Sequence, residues 1–372
     1  IRDSYTYWNN LYASWLYLDY HAILQSSRIM FTYIIIIVFF FILRSIDAIF
    51  YGWITAPLVF LPIVLTFHPL NKLRKEVDTG SLEKFKVPSL KELIAYGFPM
   101  YINSVTLMLN QWFDKVFTAI FLVETSFAVY FVMSRIAVTL ENALLSLRRG
   151  VISILSYFLG ETEDKMVRAY KIMFDIFFFF FFGAIVVLSS YSILLIDILL
   201  GSQYAEGAPI LSILLFAVFA RSFYVLLQRI PAAYKKLKLL PVISLLVLCL
   251  RFLMYLIVLN MGGFGIAFAT MISEIIGIVV LHASYRKIYR FELLPFIKTL
   301  TIAALIGLLS LYKVGVLVID LLIAALLLGL YYLMGGVLRV LRKEDVYYML
   351  KIRIPVLYSL VKIIAKLGRY NV

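Results

Sequence analysis

The sequence contains few charged residues, few histidines and almost no cysteine. Only 15% of its 372 residues are charged, whereas 63% are hydrophobic. Soluble domains carry about 25% charged residues, so this composition excludes an ordinary water-soluble protein. A single cysteine, Cys249, excludes a disulfide within the chain and a cysteine-based metal site. His21, His68 and His282 lack the spacing of metal ligands, so no metal is expected.

Two further motifs are missing. No phosphate-binding loop of the form GxxxxGK[ST] occurs, so we expect no ATPase activity and no cofactor. The predicted outer loops also lack the paired acids with which a membrane glycosyltransferase would hold a divalent metal. These absences favour a transporter over an enzyme.

Long apolar runs are abundant. They come in blocks of about 20 residues, the length of a helix that crosses a hydrocarbon core. The sequence therefore predicts an all-α fold, a polytopic transmembrane helix bundle with about 10–11 spans. Segment 5–24 is either a further span or an interfacial helix, because it mixes aromatic and polar residues. The predicted spans are 28–46, 50–68, 93–121, 126–146, 169–190, 208–229, 238–259, 263–283, 294–312 and 315–338.

The net charge of +14 follows from the topology of the chain. Lysine and arginine fall in every second loop and in the tail, whereas the opposite side holds only Arg2, Arg44 and Lys313. This bias places the long loops and the C-terminal tail in the cytoplasm of a multi-pass plasma-membrane protein. Because the charge is explained by orientation, no nucleic-acid partner is expected.

Several polar residues fall inside the predicted spans. A charge at the bilayer centre costs about 2.5–3.5 kcal/mol on insertion scales, so such residues face protein or water. Helical spacing aligns other polar groups with them, which predicts one polar stripe on each of five helices around a shared hydrated cavity. One stripe holds Asn103, Thr106, Asn110, Asp114 and Thr118; the next holds Arg135, Thr139, Asn142 and Ser146.

Two interpretations of these charges remain open. Asp114 could pair with Lys115 and Glu274 with Arg251, which would hold helices together. Alternatively, an excess of bases over acids would suit an anionic substrate, because guanidinium groups bind phosphate through two parallel hydrogen bonds. The candidate substrate-binding residues are Arg135, Arg221, Arg251, Lys115, Asn110 and Asn142, and the candidates for ion coupling or helix pairing are Asp114 and Glu274. The run Phe177–Phe182 covers every face of its helix, which favours contact with lipid.

Short motifs along the chain resemble those of polysaccharide flippases. These are the O-antigen and polysaccharide exporters of the multidrug/oligosaccharidyl-lipid/polysaccharide superfamily. The similarity covers about 93–290 in order and spacing, and 20–92 more loosely. It is carried by Tyr96–Gly97–Phe98–Pro99 followed by Asp114–Lys115, by Val129–Tyr130 with Arg135–Ile136–Ala137, by Leu199–Leu200–Gly201–Ser202–Gln203–Tyr204 with Ala208–Pro209–Ile210–Leu211, and by Gly262–Gly263–Phe264–Gly265–Ile266–Ala267 with Ala269–Thr270.

The resemblance implies a two-lobe exporter whose first lobe is incomplete, since about three N-terminal helices of the family pattern are missing. Its domains would be the end of the N-terminal lobe (1–68), a cytoplasmic linker (69–92), a C-terminal six-helix lobe (93–290) and an extra helix pair (291–338). Residues 339–372 would form a basic amphipathic cytoplasmic tail on the inner leaflet.

The same resemblance implies translocation of an oligosaccharide linked to polyprenyl phosphate or pyrophosphate, for surface polysaccharide biosynthesis, by alternating access. The implied partners are this lipid-linked oligosaccharide and the membrane lipids, with glycosyltransferases or a polymerase of the same pathway as further candidates. Two alternatives are a multidrug exporter of the same superfamily, for which an acidic cavity is expected, and a membrane-embedded glycosyltransferase or polysaccharide polymerase.

Overall fold

The computed structural model describes four long segments of the chain: 90–146, 162–289, 293–342 and 355–368. It also describes ten isolated positions: 34, 35, 38, 39, 51, 55, 155, 158, 160 and 346. Every regular element among the described residues is helical, which confirms the predicted all-α fold. Residues 95–148 and 155–372 form one compact unit. A second unit comprises 1–94 and 149–154, of which little beyond isolated helical positions is described.

Eleven α-helices are described. Short 3₁₀ turns at Ser202–Gly207 and Leu259–Met261 precede α5 and α8. The helices are α1 (Leu90–Phe121), α2 (Glu124–Ser146), α3 (Glu163–Ser190), α4 (Ser192–Leu199), α5 (Ala208–Leu227), α6 (Arg229–Ala233), α7 (Leu240–Ile257), α8 (Gly262–Ser284), α9 (Leu293–Leu309), α10 (Leu317–Val337) and α11 (Pro355–Leu367).

The eight spans predicted between 93 and 338 each coincide with one of these helices. The largest difference is at α3, which begins before the predicted 169 because the Thr162 side chain accepts a hydrogen bond from the amide of Lys165. Such an N-cap satisfies a free backbone donor at the helix start. Spans 28–46 and 50–68 and segment 5–24 lie outside the described residues, apart from isolated helical positions.

Five of the described helices have the length and apolarity of membrane spans. Among the described residues, α3, α7 and α10 qualify alone, and α5 and α8 qualify together with the short elements that flank them. This agrees with the predicted multi-pass membrane protein. The orientation of the loops and of the tail remains a prediction.

Helix α5 is the centre of the compact unit and contacts α2, α3 and α8. It is buried around most of its circumference, as expected for a helix that is apolar on every face. Helix α8 packs closely on α5 and α7 because Gly277 has no side chain. A Cβ atom there would lie 2.9 Å from Cγ2 of Val247 and 3.4 Å from Cε2 of Tyr224.

Helix α3 packs against α9 and α10 through aromatic side chains. Phe177, Phe179 and Phe180 are buried, and the ring of Phe179 stacks on that of Tyr331 with 5.3 Å between centroids. The prediction that the phenylalanine run contacts lipid is therefore wrong for these three residues. Neighbouring helices surround this part of α3, so its apolar faces are covered by protein.

Helix α11 lies within the predicted tail and packs on α10. Val361 and Ile364 are buried, while Lys362, Ile363 and Lys366 are exposed. The apolar face of α11 thus contacts the protein, and a position of the tail on the inner leaflet remains a prediction.

Candidate functional site

The polar stripe of α1 is buried along its length. Asn103, Thr106, Asn110, Asp114 and Thr118 are all at most 5% exposed, which confirms that the stripe faces the interior. Buried polar groups need hydrogen-bond partners. Thr106 and Thr118 donate to backbone carbonyls of α1 itself, whereas Asn103 and Asp114 reach other helices.

One end of the stripe joins three helices. The side-chain amide of Asn103 donates to Oε1 of Gln228, the C-cap residue of α5, at 3.0 Å, and the hydroxyl of Ser244 on α7 donates to Oδ1 of Asn103 at 2.6 Å. Gln228 also donates to the Ser244 hydroxyl at 3.2 Å. This closed set of hydrogen bonds links α1, α5 and α7.

Arg251 lies at the middle of the network and is completely buried. Its Nε donates to the hydroxyl of Ser273 at 2.9 Å, and its Nη1 donates to the backbone carbonyl of Asn110 at 3.0 Å. Its Nη2 donates to Oε1 of Glu274. A single guanidinium group therefore connects α7 to both α1 and α8.

Arg221 of α5 shares the same carboxylate. Its Nε donates to Oε1 of Glu274 at 2.8 Å, and its Nη1 lies 3.5 Å from Oε2 of Glu141 on α2. Glu274 thus bridges Arg221 and Arg251. Charges so deeply buried are tolerated when they are paired and hydrogen-bonded, because unpaired ions would lose their hydration without compensation.

A second ion pair lies further along α1. The ammonium group of Lys115 is 3.1 Å from Oδ1 of Asp114, and it also donates to the backbone carbonyl of Gln111 at 2.9 Å. The hydroxyl of Tyr130 on α2 donates to Oδ2 of Asp114 at 3.0 Å. This pair links α1 to α2.

These contacts show how the buried charges are paired. The expected excess of bases is wrong for Arg221 and Arg251, which are matched by Glu141 and Glu274. As predicted, Glu274 forms an ion pair with Arg251, and Asp114 forms one with Lys115. The functional roles of these residues remain predictions.

Glu141 was not among the predicted site residues, because the polar stripe predicted on α2, which includes Arg135 and Asn142, lies on another face of that helix. Tyr130, Ser134 and Glu141 recur at steps of four and seven residues, which is the signal that could have found it. At 100° per residue they share one face, and all three are buried.

Arg135 and Asn142 are not brought to this network. They lie about 100–120° around α2 from Glu141, and both are exposed. The guanidinium carbon of Arg135 is 4.8 Å from the ring centroid of Phe131 on the same helix, a cation–π contact. Their predicted contact with substrate would therefore be made at a different surface.

A polar cavity of about 180 Å³ adjoins the network. A water molecule occupies about 30 Å³ in the liquid, so this volume can hold several. The buried Oδ1 atom of Asn110 has no hydrogen-bond partner among the described residues and is available to such a guest. The lining includes Asn110, Gln111, Arg221, Tyr224, Arg229 and Glu274.

The lining of this cavity combines hydrogen-bond donors with one carboxylate, that of Glu274, which pairs with Arg221. Two guanidinium groups and two side-chain amides can donate hydrogen bonds to phosphate oxygens. Within the described segments, no group of three or more histidine, cysteine, aspartate or glutamate side chains could hold a metal ion.

Comparisons with known proteins identify the family of this chain. The sequence profile of a family described as "Polysaccharide biosynthesis protein" matches residues 18–209, just over half of the chain. The chain belongs to this family. The motif resemblance to polysaccharide exporters is therefore confirmed as membership of a polysaccharide biosynthesis family.

A solved structure shares the fold. It is "Lipid II flippase MurJ, inward closed conformation", with a TM-score of 0.59 and 19% sequence identity. The match covers 81% of this chain and 65% of the MurJ chain, so this chain spans about two thirds of that protein. No curated protein sequence matches this chain.

Proposed function

We propose that the chain translocates an oligosaccharide linked to polyprenyl phosphate or pyrophosphate across the cytoplasmic membrane. Membership of a polysaccharide biosynthesis family and the fold shared with a lipid flippase support a transporter rather than an enzyme. The observation that carries the proposal is the arginine-lined cavity among the membrane helices.

The phosphate groups of the substrate would bind at this cavity. Arg221 and Arg229 line it, and the amides of Asn110 and Gln111 add donors. Guanidinium groups bind phosphate in a planar, two-pronged geometry that lysine cannot copy. Arg251, which is completely buried behind Glu274, would position Glu274 and Arg221 and would not itself touch substrate.

The shared carboxylate suits alternating access. Because Glu274 holds Arg221 and Arg251 at once, a phosphate that takes over one arginine leaves the other paired. Such an exchange of ionic partners lets helices shift between two packed arrangements without stranding a buried charge. We infer that Glu274 acts in helix pairing, and that Asp114 remains the candidate for ion coupling.

The alternative of a multidrug exporter gains no support from the described residues. An exporter of cationic drugs is expected to present a surplus of buried acids, whereas Asp114, Glu141 and Glu274 each contact a base. Membership of a polysaccharide biosynthesis family also favours a sugar-linked substrate over a drug.

The test uses the purified protein in liposomes that contain a fluorescent polyprenyl-pyrophosphate oligosaccharide. Translocation is measured as the rate at which the sugar becomes accessible to an external glycosidase. Arg221→Lys keeps the charge that pairs with Glu274 but removes the two-pronged phosphate contact, so we expect at least a tenfold slower rate, equivalent to about 1.4 kcal/mol.

The matched control is Arg339→Lys, at an exposed position outside the cavity, which should translocate at the unmodified rate. A thermal unfolding midpoint shared by all three proteins would show that folding is unaffected. Translocation no faster than in protein-free liposomes, or an unchanged rate for Arg221→Lys, would overturn the proposal.

A further inference from the structure

A basic pocket of about 490 Å³ lies at one end of α7 and α8, away from the cavity described above. It is formed by the turn between α6 and α7 and by the residues that follow α8. Its basic side chains are all exposed, and no acidic residue lines it. They are Lys235, Lys236, Lys238, Arg286 and Lys287.

The pocket has a fixed apolar floor. Leu237, Tyr285 and Ile288 are buried beneath the basic rim. The hydroxyl of Tyr285 donates to the backbone carbonyl of Lys236 at 2.8 Å. Burial raises the pKa of Tyr285 above its ordinary value, which already lies well above neutral pH, so the hydroxyl is a donor at neutral pH. This bond ties the segment after α8 to the turn before α7.

The turn itself holds an unusual backbone. Lys235 has a φ of 57°, a left-handed conformation that is uncommon for residues other than glycine. Hydrogen bonds from the amides of Lys235 and Lys236 to the carbonyls of Ala232 and Pro231, at 3.0 Å and 2.8 Å, hold it. These hydrogen bonds give the turn that carries Lys235, Lys236 and Lys238 a defined backbone conformation.

An apolar surface begins directly beside the basic rim. Leu239 and Val242 are 48% and 58% exposed, and they stand at the start of α7, a helix apolar enough to cross a membrane. Cationic donors therefore adjoin a lipid-accessible helix face. A free phosphate would use only the donors, whereas a phospholipid would use both surfaces.

We propose that this pocket binds the phosphate headgroup of an anionic phospholipid, whose acyl chains lie along α7. Basic pockets between membrane helices on the cytoplasmic side bind such headgroups, and the predicted orientation places this end there. The pocket shares no residue with the arginine-lined cavity, so the proposal does not depend on the transported substrate.

The test measures binding of short-chain phosphatidylglycerol to the purified full chain in a neutral detergent. Lys238→Gln with Arg286→Gln removes one charge from each side of the pocket. Each basic residue near an anionic lipid contributes about 1 kcal/mol, so we expect affinity to fall on the order of 30-fold. The matched control, Lys165→Gln with Arg168→Gln, removes two exposed charges from the start of α3, outside the pocket and the tail, and should bind normally.

Two further measurements control for folding and for the chemistry of the ligand. Lys238→Arg with Arg286→Lys preserves both charges, so it should bind phosphatidylglycerol like the original protein and report correct folding. Phosphatidylcholine with the same acyl chains, and soluble glycerol 1-phosphate, should each bind at least tenfold more weakly. Equal losses in the pocket and control variants, or equal binding of glycerol 1-phosphate, would overturn the proposal.

Discussion

Two parts of the same compact unit differ in the contacts that predominate between their helices. Around α1, α2, α5, α7 and α8, the helices meet through buried ion pairs and hydrogen bonds centred on Glu274. Around α3, α9, α10 and α11, they meet through stacked aromatic rings and tightly packed glycines. We call these the ionic region and the aromatic region.

The difference indicates that one region is built to stay rigid and the other to rearrange. Packed apolar surfaces do not deform continuously, so the aromatic region is suited to stay rigid. Ion pairs with shared partners can be exchanged, so the ionic region is suited to rearrange around a charged substrate. The cavity adjoins the ionic region, where a charged substrate could exchange with these ion pairs.

The largest effect is expected from Glu274→Gln. Glutamine keeps the shape and an acceptor oxygen but removes the charge that compensates Arg221 and Arg251. Breaking a buried ion pair on one side costs about 3–5 kcal/mol, because the remaining charge is left uncompensated. We expect a much lower midpoint of thermal unfolding in detergent.

The matched control is Glu124→Gln, which removes an exposed carboxylate from the start of α2 and should leave the midpoint unchanged. If Glu274→Gln unfolds at the original temperature, the ionic pairs do not hold this region together.

A smaller effect is expected from Gly335→Ala in the aromatic region. An added Cβ would lie 2.2 Å from Cζ of Phe179, so rings must shift. Overpacking of this kind typically costs about 1–3 kcal/mol. The midpoint of thermal unfolding should fall, while translocation at temperatures well below it should be retained.

Gly329→Ala on the same helix tests the cause, because no atom lies within 4 Å of the added carbon among the described residues. It should be neutral or slightly stabilising, since alanine favours helix over glycine. A similar loss in both variants would point to helix backbone effects and away from ring packing.

The smallest effect is expected from Tyr331→Phe. The ring keeps its stacking on Phe179, and only the 2.8 Å hydrogen bond from its hydroxyl to the carbonyl of Phe179 is lost. A bond of this kind contributes about 0.5–1.5 kcal/mol. A loss of unfolding free energy as large as that of Gly335→Ala would show that polar contacts also hold the aromatic region.

Hydrophobic blocks and helical spacing were sufficient to predict much of the architecture. The eight spans between 93 and 338 were predicted because a segment must be apolar for about 20 residues to cross a bilayer. The polar stripe of α1 was also predicted, because residues at steps of three and four share a face whatever surrounds the helix.

The neighbours of each face depended on how the helices pack. The sequence shows that α2 carries polar residues on two faces, but only packing reveals that Glu141 is buried beside Arg221 while Arg135 is exposed. The phenylalanine run is apolar on every face, so its pattern cannot distinguish lipid from protein as its surroundings. Periodicity is a property of one helix, whereas pairing and burial are properties of several helices together.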